Sequence, residues 1–327
     1  MSISLPSFAK INIGLRIGPL RADSFHKLRT VYQTIALHDI VSVSVEPASG
    51  IKIRCDDPRV PLDSTNTCFR IVDRAMQALK ARGRVVIEIE KRLPVQGGLG
   101  GASGNAVAAL LGLERVLRKK LPAPERLRIA AEVGSDLPLF FIGGTVLGVS
   151  RGEEVYPLPD LPAMACVVAL PEIAVSTPKA FADWDSLCGD NAKLTPSTHS
   201  DRMLEFSREI SAWLSAVPIA SRRRCGVSAI GGGRAENLLL DLVRTGIEND
   251  FERVVFPKYP EMREVKRVLE QSGARYASLS GSGSAIYGLF DSRERAAAAA
   301  KKLTRHGTRA VVTTTLTRQQ YWKAFSH

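Results

Sequence analysis

Five of the eight residues from Gly97 to Gly104 are glycine, and they join two segments of different period. Before them, Val85, Ile87 and Ile89 alternate with Val86, Glu88 and Glu90, the pattern of a strand with one buried face that ends at Leu93-Pro94. After them, Val107, Leu110, Leu111 and Leu113 recur at helical spacing. A strand, a glycine loop and a helix in that order bring bare backbone, and then the unpaired amides of a helix N-terminus, to one point. That combination favours an anion, and phosphate above all. An ordinary turn needs one or two glycines, so this density points beyond chain reversal. The loop is not a Walker A loop, because no Gly-Lys-Ser/Thr follows. Nor is it a dinucleotide fingerprint, since Ser103 stands where the third glycine belongs.

The remaining chain reads as mixed α and β. Val41, Val43 and Val45, then Ile51 and Ile53, alternate with polar residues as strands do. Residues 66–81 carry a helical stripe, and Cys166 to Leu170 reads as a buried strand. Residues 184–202 are polar and lack apolar period, which predicts a long loop. Helical patterns follow at 235–246 and 259–272, then a strand–turn–strand from Tyr276 to Phe290. The alanine run 296–300 has acids before it and lysines after it, which suits a helix dipole, and Ala310 to Leu316 closes as a strand. At 327 residues the expectation is two domains, 1–165 and 166–327, each an α+β sandwich, with a cleft between them.

Several functions are disfavoured. The most apolar stretch, Leu137 to Val149, is broken by Pro138 and three glycines, so no membrane span is expected. Pro6, Lys10 and Asn12 interrupt any signal-peptide core, which makes a cytoplasmic protein the default. Five widely spaced cysteines, Cys55, Cys68, Cys166, Cys188 and Cys225, show no zinc spacing and read as reduced thiols. A formal net charge of +12 favours anionic partners. The clusters Arg118-Lys119-Lys120 and Arg222-Arg223-Arg224 are short and lack interleaved aromatics, so they read as solvated faces and no nucleic-acid partner is expected.

Pro94-x-x-Gly97-Gly98-Leu99-Gly100-Gly101 resembles the phosphate loop of the GHMP kinases, small-molecule kinases with an α+β two-domain fold and an active-site cleft between the domains. Phe8-Ala9-Lys10-Ile11-Asn12 is similar to the first motif of that superfamily, and Leu279-Ser280-Gly281-Ser282-Gly283-Ser284-Ala285 to its third. Arg21-Ala22-Asp23-Ser24-Phe25-His26-Lys27-Leu28, Gly134-Ser135-Asp136-Leu137-Pro138 and Ser176-Thr177-Pro178-Lys179-Ala180-Phe181 narrow the resemblance. They are similar to elements of the family of 4-diphosphocytidyl-2-C-methyl-D-erythritol kinases of non-mevalonate isoprenoid synthesis, and they keep the family's order. Three departures stand out. Ser24 replaces a glycine, Lys27 a glutamate, and Ala102-Ser103-Gly104-Asn105 stands where the family has Gly-Ser-Ser-Asn.

The resemblance implies ATP and Mg²⁺ as cofactors, with metal ligands unassigned. It implies ATP contacts from Pro94, Gly97, Gly98, Leu99, Gly100, Gly101, Ala102, Ser103, Gly104 and Asn105. It implies Lys10 and Asp136 as the catalytic pair, and Asn12, Phe25, His26, Phe181, Gly281 and Gly283 on the substrate side. Taken alone, Asp136 reads first as a helix N-cap, while Lys10 reads equally as a paired functional ammonium or as a lysine snorkelling from a strand edge. Asn66 is a candidate adenine contact, and Asn249-Asp250 reads as a structural turn. The expected acceptor is a cytidylyl small molecule, with the protein a monomer or homodimer. The rival readings are a GHMP kinase for a sugar, homoserine or mevalonate substrate, and a non-catalytic nucleotide- or RNA-binding module on the same fold.

Overall fold

The structure, a computed structural model, describes residues 2–190, 196–216 and 247–326. The Arg222-Arg223-Arg224 cluster, Cys225 and the helical pattern at 235–246 lie outside the described residues. The chain opens with two long antiparallel strands, β1 (Ser2–Leu20) and β2 (His26–Glu46). The short turn between them holds Ser24 at a φ of 64°, a left-handed conformation that suits the glycine of the resembled family. Strands β3 (Gly50–Cys55), β4 (Arg84–Glu90), β5 (Thr145–Val149) and β6 (Glu154–Pro157) complete a six-stranded sheet, with β4 and β5 both pairing β2. A second, antiparallel sheet has the order β10-β7-β9-β8, formed by β7 (Ala165–Leu170), β8 (Tyr276–Leu279), β9 (Ile286–Phe290) and β10 (Arg309–Thr314).

Three cores hold these layers. The first lies between the six-stranded sheet and three helices, α1 (Thr67–Ala78), α2 (Gly101–Leu117) and α3 (Ala123–Val133). The second covers the outer face of the four-stranded sheet. The third lies between the sheets, where Ile11, Ile13, Val31 and Ile35 meet Cys166, Val168, Tyr287 and Leu289. Strand β7 is therefore buried on both faces, which is why Cys166 to Leu170 reads as an unbroken apolar run rather than an alternation. Strand β1 uses its period differently. Ala9, Ile11 and Ile13 enter the core between the sheets, so Lys10 and Asn12 point the other way.

Within the span 184–202, residues 184–190 and 196–202 are helical and not the long loop expected. Helix α4 (Thr177–Asp190) runs into them from upstream, and α5 (Pro196–Ala216) runs out of them. The stripe of α4 is Ala180, Phe181, Trp184 and Leu187, and a window opening at 184 cuts it in half. Helix α5 buries Met203, Phe206, Ile210 and Trp213 at spacings of three and four residues. Downstream come α6 (Glu252–Lys258), α7 (Pro260–Gln271) and α8 (Arg293–Arg305). The last helix, α9 (Arg318–Lys323), returns to the first core, where the Tyr321 hydroxyl donates to the Phe140 carbonyl at 2.7 Å. Among the described residues no helix is long and apolar enough to cross a membrane.

Candidate active site

The glycine segment divides into a loop and the first turn of α2. Gly100 is the N-cap, in the left-handed region, and makes no side-chain cap bond, so the first amides of a 17-residue helix stay open to a ligand. Gly98 shows why the density of glycine is needed. Its φ is 73°, and a Cβ there would lie 2.1 Å from the Ser280 carbonyl oxygen. The loop is thus pressed against the third glycine motif. The Ala285 amide donates to the Gly97 carbonyl at 3.1 Å and the Ser280 hydroxyl to the Gly98 carbonyl at 2.9 Å. At Gly104 a Cβ would meet the Phe8 carbonyl at 2.8 Å and the Ser7 hydroxyl at 2.9 Å, so this departure from the family lets α2 pack close to β1.

The loop hangs from a buried carboxylate. Asp39 has no exposed surface, and it accepts from the Arg92 and Leu93 amides, each at 2.7 Å. It also accepts from Lys91 Nζ at 2.5 Å and Asn105 Nδ2 at 3.0 Å. One side chain therefore ties β2 to both ends of the glycine segment. A cavity of about 330 Å³ opens over this loop, lined by Pro94 to Ser103, Asn105, Lys91, Asn66 and Arg59. Asn66 caps α1 and donates to the Pro61 carbonyl, so its side chain is already engaged.

A second cavity, of about 640 Å³, lies on the other side of Gly98 and Gly100, which line both. Lys10 Nζ is at its floor, 3% exposed. It donates to Asn12 Oδ1 at 2.7 Å and lies 3.4 Å from Asp136 Oδ2. Its ammonium sits 5.6 Å from the centre of the Tyr32 ring. Buried so deeply and paired so closely, Lys10 is not a snorkelling side chain. Asp136 is not a cap either. The short 3₁₀ turn Pro138–Phe141 that follows it has no side-chain cap. Instead its Oδ1 accepts from the Tyr32 hydroxyl at 3.0 Å. Gly281 closes the group, since a Cβ there would be 3.5 Å from Lys10 Nζ and 3.6 Å from Asn12 Oδ1.

Phe25, His26 and Phe181 gather at the aromatic end of this cavity. His26 and Phe181 stack on one another, ring centres 5.0 Å apart and 7° from parallel, leaving no room for a third ring between them. His26 Nε2 is hydrogen-bonded to Asp185 on α4 at 2.8 Å. Phe25 stands at the rim, 50% exposed, with the Arg151 guanidinium 4.9 Å from its ring centre. Gly283 does not line this cavity. Its Cα faces Leu279, Met262 and Val175, while Ser282 lines the wall and shares a 2.7 Å hydrogen bond with Thr177. Asn249 and Asp250 are structural. Asn249 Nδ2 donates to the Leu279 and Gly281 carbonyls, and Asp250 is held by Arg16 and Arg202.

Sequence reasoning missed Tyr32, Asp39, Asp185 and Arg151. Asp39 had a signal, a lone acid inside the apolar run Ile35 to Val41. Tyr32 had none, since a tyrosine in a strand is usually packing. Burial keeps the Tyr32 hydroxyl well above its usual range, reinforced by the charge of Asp136, so it remains a donor.

Two cavities joined at a glycine loop, with an ammonium–carboxylate pair beside the join, are the layout of a small-molecule kinase of the GHMP class. The pattern for the GHMP kinases N terminal domain matches residues 66–144, and that for the GHMP kinases C terminal matches 234–309. The chain is 36% identical over 290 residues to the 4-diphosphocytidyl-2-C-methyl-D-erythritol kinase of Solibacter usitatus, covering 88% of this chain and 81% of that one. It is 33% identical over 306 residues to that of Synechococcus elongatus, covering 92% and 90%. A crystal structure of 4-(cytidine 5'-diphospho)-2C-methyl-D-erythritol kinase superposes with a TM-score of 0.69 at 26% identity, covering 96% of this chain and 99% of the other. Within the GHMP kinases, the chain belongs to the 4-diphosphocytidyl-2-C-methyl-D-erythritol kinase family. It is an ATP-dependent phosphotransferase with an alcohol as acceptor.

Proposed function

We propose that the chain transfers the γ-phosphate of ATP to the 2-hydroxyl of 4-diphosphocytidyl-2-C-methyl-D-erythritol and releases ADP. The observation that carries this reading is the convergence of Lys10, Asn12 and Asp136 within hydrogen-bond or ion-pair reach of one another, beside the two glycines that both cavities share. ATP lies in the smaller cavity with its phosphates along the amides from Gly98 to Asn105. The acceptor lies in the larger one, its hydroxyl toward Asp136 Oδ2. Asp136 takes the hydroxyl proton as the oxygen attacks, and Asn12 orients that oxygen. Lys10 offsets the negative charge that builds on the transferring group. At the far end, the stacked His26–Phe181 pair offers ring faces and polar edges to a cytosine, and Phe25 covers it from the rim. Adenine would rest against the Asn66 wall.

Mg²⁺ is proposed to enter with ATP. Among the described residues no cluster of three His, Cys, Asp or Glu side chains could hold a metal by itself. Asn105 Oδ1, however, is buried without a hydrogen-bond partner in the lining of the nucleotide cavity, and the Ser103 hydroxyl lines it too. Neutral oxygens of this kind fit an ion that keeps most of its water and phosphate ligands. When bound, Mg²⁺ would neutralise phosphate charge. The same reading gives a cytoplasmic enzyme whose partners are ATP and the cytidylyl substrate, with residues 1–165 and 166–327 as its two domains.

The test is turnover by the purified protein with Mg·ATP and the cytidylyl substrate, with CDP or CMP as competitors. Steady turnover inhibited by either nucleotide is the expected result. A protein inert on this substrate but active on homoserine or mevalonate, and indifferent to CDP, would overturn the substrate while leaving the class intact.

A further inference from the structure

We propose that Tyr32 is a positioning residue for Asp136, fixing the carboxylate so that one oxygen is occupied and the other is presented to the acceptor hydroxyl. The inference rests on Asp136 acting as the base. Asp136 sits on the short connection between α3 and the 3₁₀ turn, with its side chain 32% exposed, so the local backbone gives it little to hold. A carboxylate there is free to rotate unless something fixes it. The Tyr32 hydroxyl donates to Oδ1 at 3.0 Å, and Oδ2 is left facing Lys10.

The surrounding fold is shaped to that ring. Tyr32 is 2% exposed and lies on β2 opposite Val146 of β5. Gly148, two residues along β5, has no side chain where the ring lies, and a Cβ there would be 2.4 Å from Tyr32 Cε2. Gly152, in the turn after β5, passes so close that a Cβ would be 2.5 Å from the Tyr32 hydroxyl oxygen. Two glycines thus seat the ring and the hydroxyl. A phenylalanine would pack as well and would avoid burying a polar atom, so packing alone does not explain the hydroxyl. Its bond to Asp136 does. The same ring lies beneath the Lys10 ammonium, so one residue touches both members of the catalytic pair.

The charged and titratable groups around Asp136 are few. Lys10 comes from β1 and Tyr32 from β2. Arg151 and Glu153, from the turn before β6, pair with each other at 3.1 Å. Removing the hydroxyl leaves the other three in place and takes away the donor that holds Asp136 Oδ1.

The experiment compares Tyr32→Phe with the parent enzyme in kcat and in KM for both substrates, since a positioning role lowers kcat and spares KM. The expected result is a kcat lower by about tenfold, the size of one hydrogen bond to a charged group, with both KM values within about twofold. Thermal unfolding close to the parent's shows that the fold is kept. Gly152→Ala, which crowds the hydroxyl, should lower kcat in the same way, and adding it to Tyr32→Phe should lower it no further. A Tyr32→Phe enzyme with the parental kcat, beside an inactive Asp136→Asn, overturns the role of Tyr32 and leaves the base standing. An Asp136→Asn enzyme as active as the parent removes both.

Discussion

The two cavities that meet at Gly98 and Gly100 are made of different material. The phosphate cradle on the nucleotide side is main chain, a run of glycines and open helix amides contributed by one contiguous segment. The acceptor side is built from side chains that start at Lys10 and end at Ser282, drawn from β1, β2, α4 and the loops around them, including the turn between β8 and β9. A backbone-made site tolerates changes of side chain but not of backbone conformation. A side-chain-made site behaves in the opposite way. The comparison also separates what each region needs for support, a buried carboxylate behind the loop and a tyrosine beneath the catalytic pair.

The sharpest test of that contrast is at Lys10. Lys10→Met keeps much of the packing volume and removes the charge beside the transferring group, so kcat should fall by about 10³-fold or more with the KM for ATP little changed. A steady-state assay reads both. Next in size is the support of the loop. Asp39→Ala leaves Lys91 and two amides buried without their partner, which should cost about 3 kcal/mol of stability and raise the KM for ATP more than that for the acceptor. Denaturant titration and kinetics check the two halves of that statement.

The aromatic end should respond on the acceptor side alone. Phe181→Ala removes the ring on which His26 stacks and should raise the KM for the cytidylyl substrate about tenfold while leaving that for ATP within about twofold. Phe25→Ala, at the rim, should do less, about threefold. The smallest effect expected is at the turn before β2. Ser24→Gly relieves a left-handed serine and should add about 1 kcal/mol of stability without moving kcat. If the ATP and acceptor KM values moved together in all of these variants, the division into two independent cavities would be wrong.

The same contrast explains what was legible in the residues. The strand, glycine loop and helix around Gly97 to Gly104 are local, and their periods and composition are sufficient to read a phosphate cradle. Strands such as Cys166 to Leu170 and the alanine-rich helix were equally plain, because each is decided within a few residues. The acceptor side was not plain. Lys10, Asn12 and Asp136 converge through β1, β2 and the α3 connection, and only the resemblance to a known family joined them. Tyr32 carries no local mark of its role, and its meaning lies in Gly148 and Gly152 more than a hundred positions away. The helices at 177–190 and 196–216 were hidden because their buried residues, Ala180 to Trp184 and Met203 to Trp213, flank the polar stretch between them and do not fill it. The direct stacking of His26 on Phe181 depends on how α4 docks, which no spacing reveals.

The central claim is that Asp136 acts on the acceptor hydroxyl and does not merely hold the site together. Asp136→Asn, studied by calorimetric binding of each ligand and by single-turnover transfer on the same preparation, separates those roles. Both dissociation constants should stay within about threefold of the parent, while transfer slows by about 10³-fold or more. Transfer at the parental rate, or a loss that matches weakened binding alone, would contradict it.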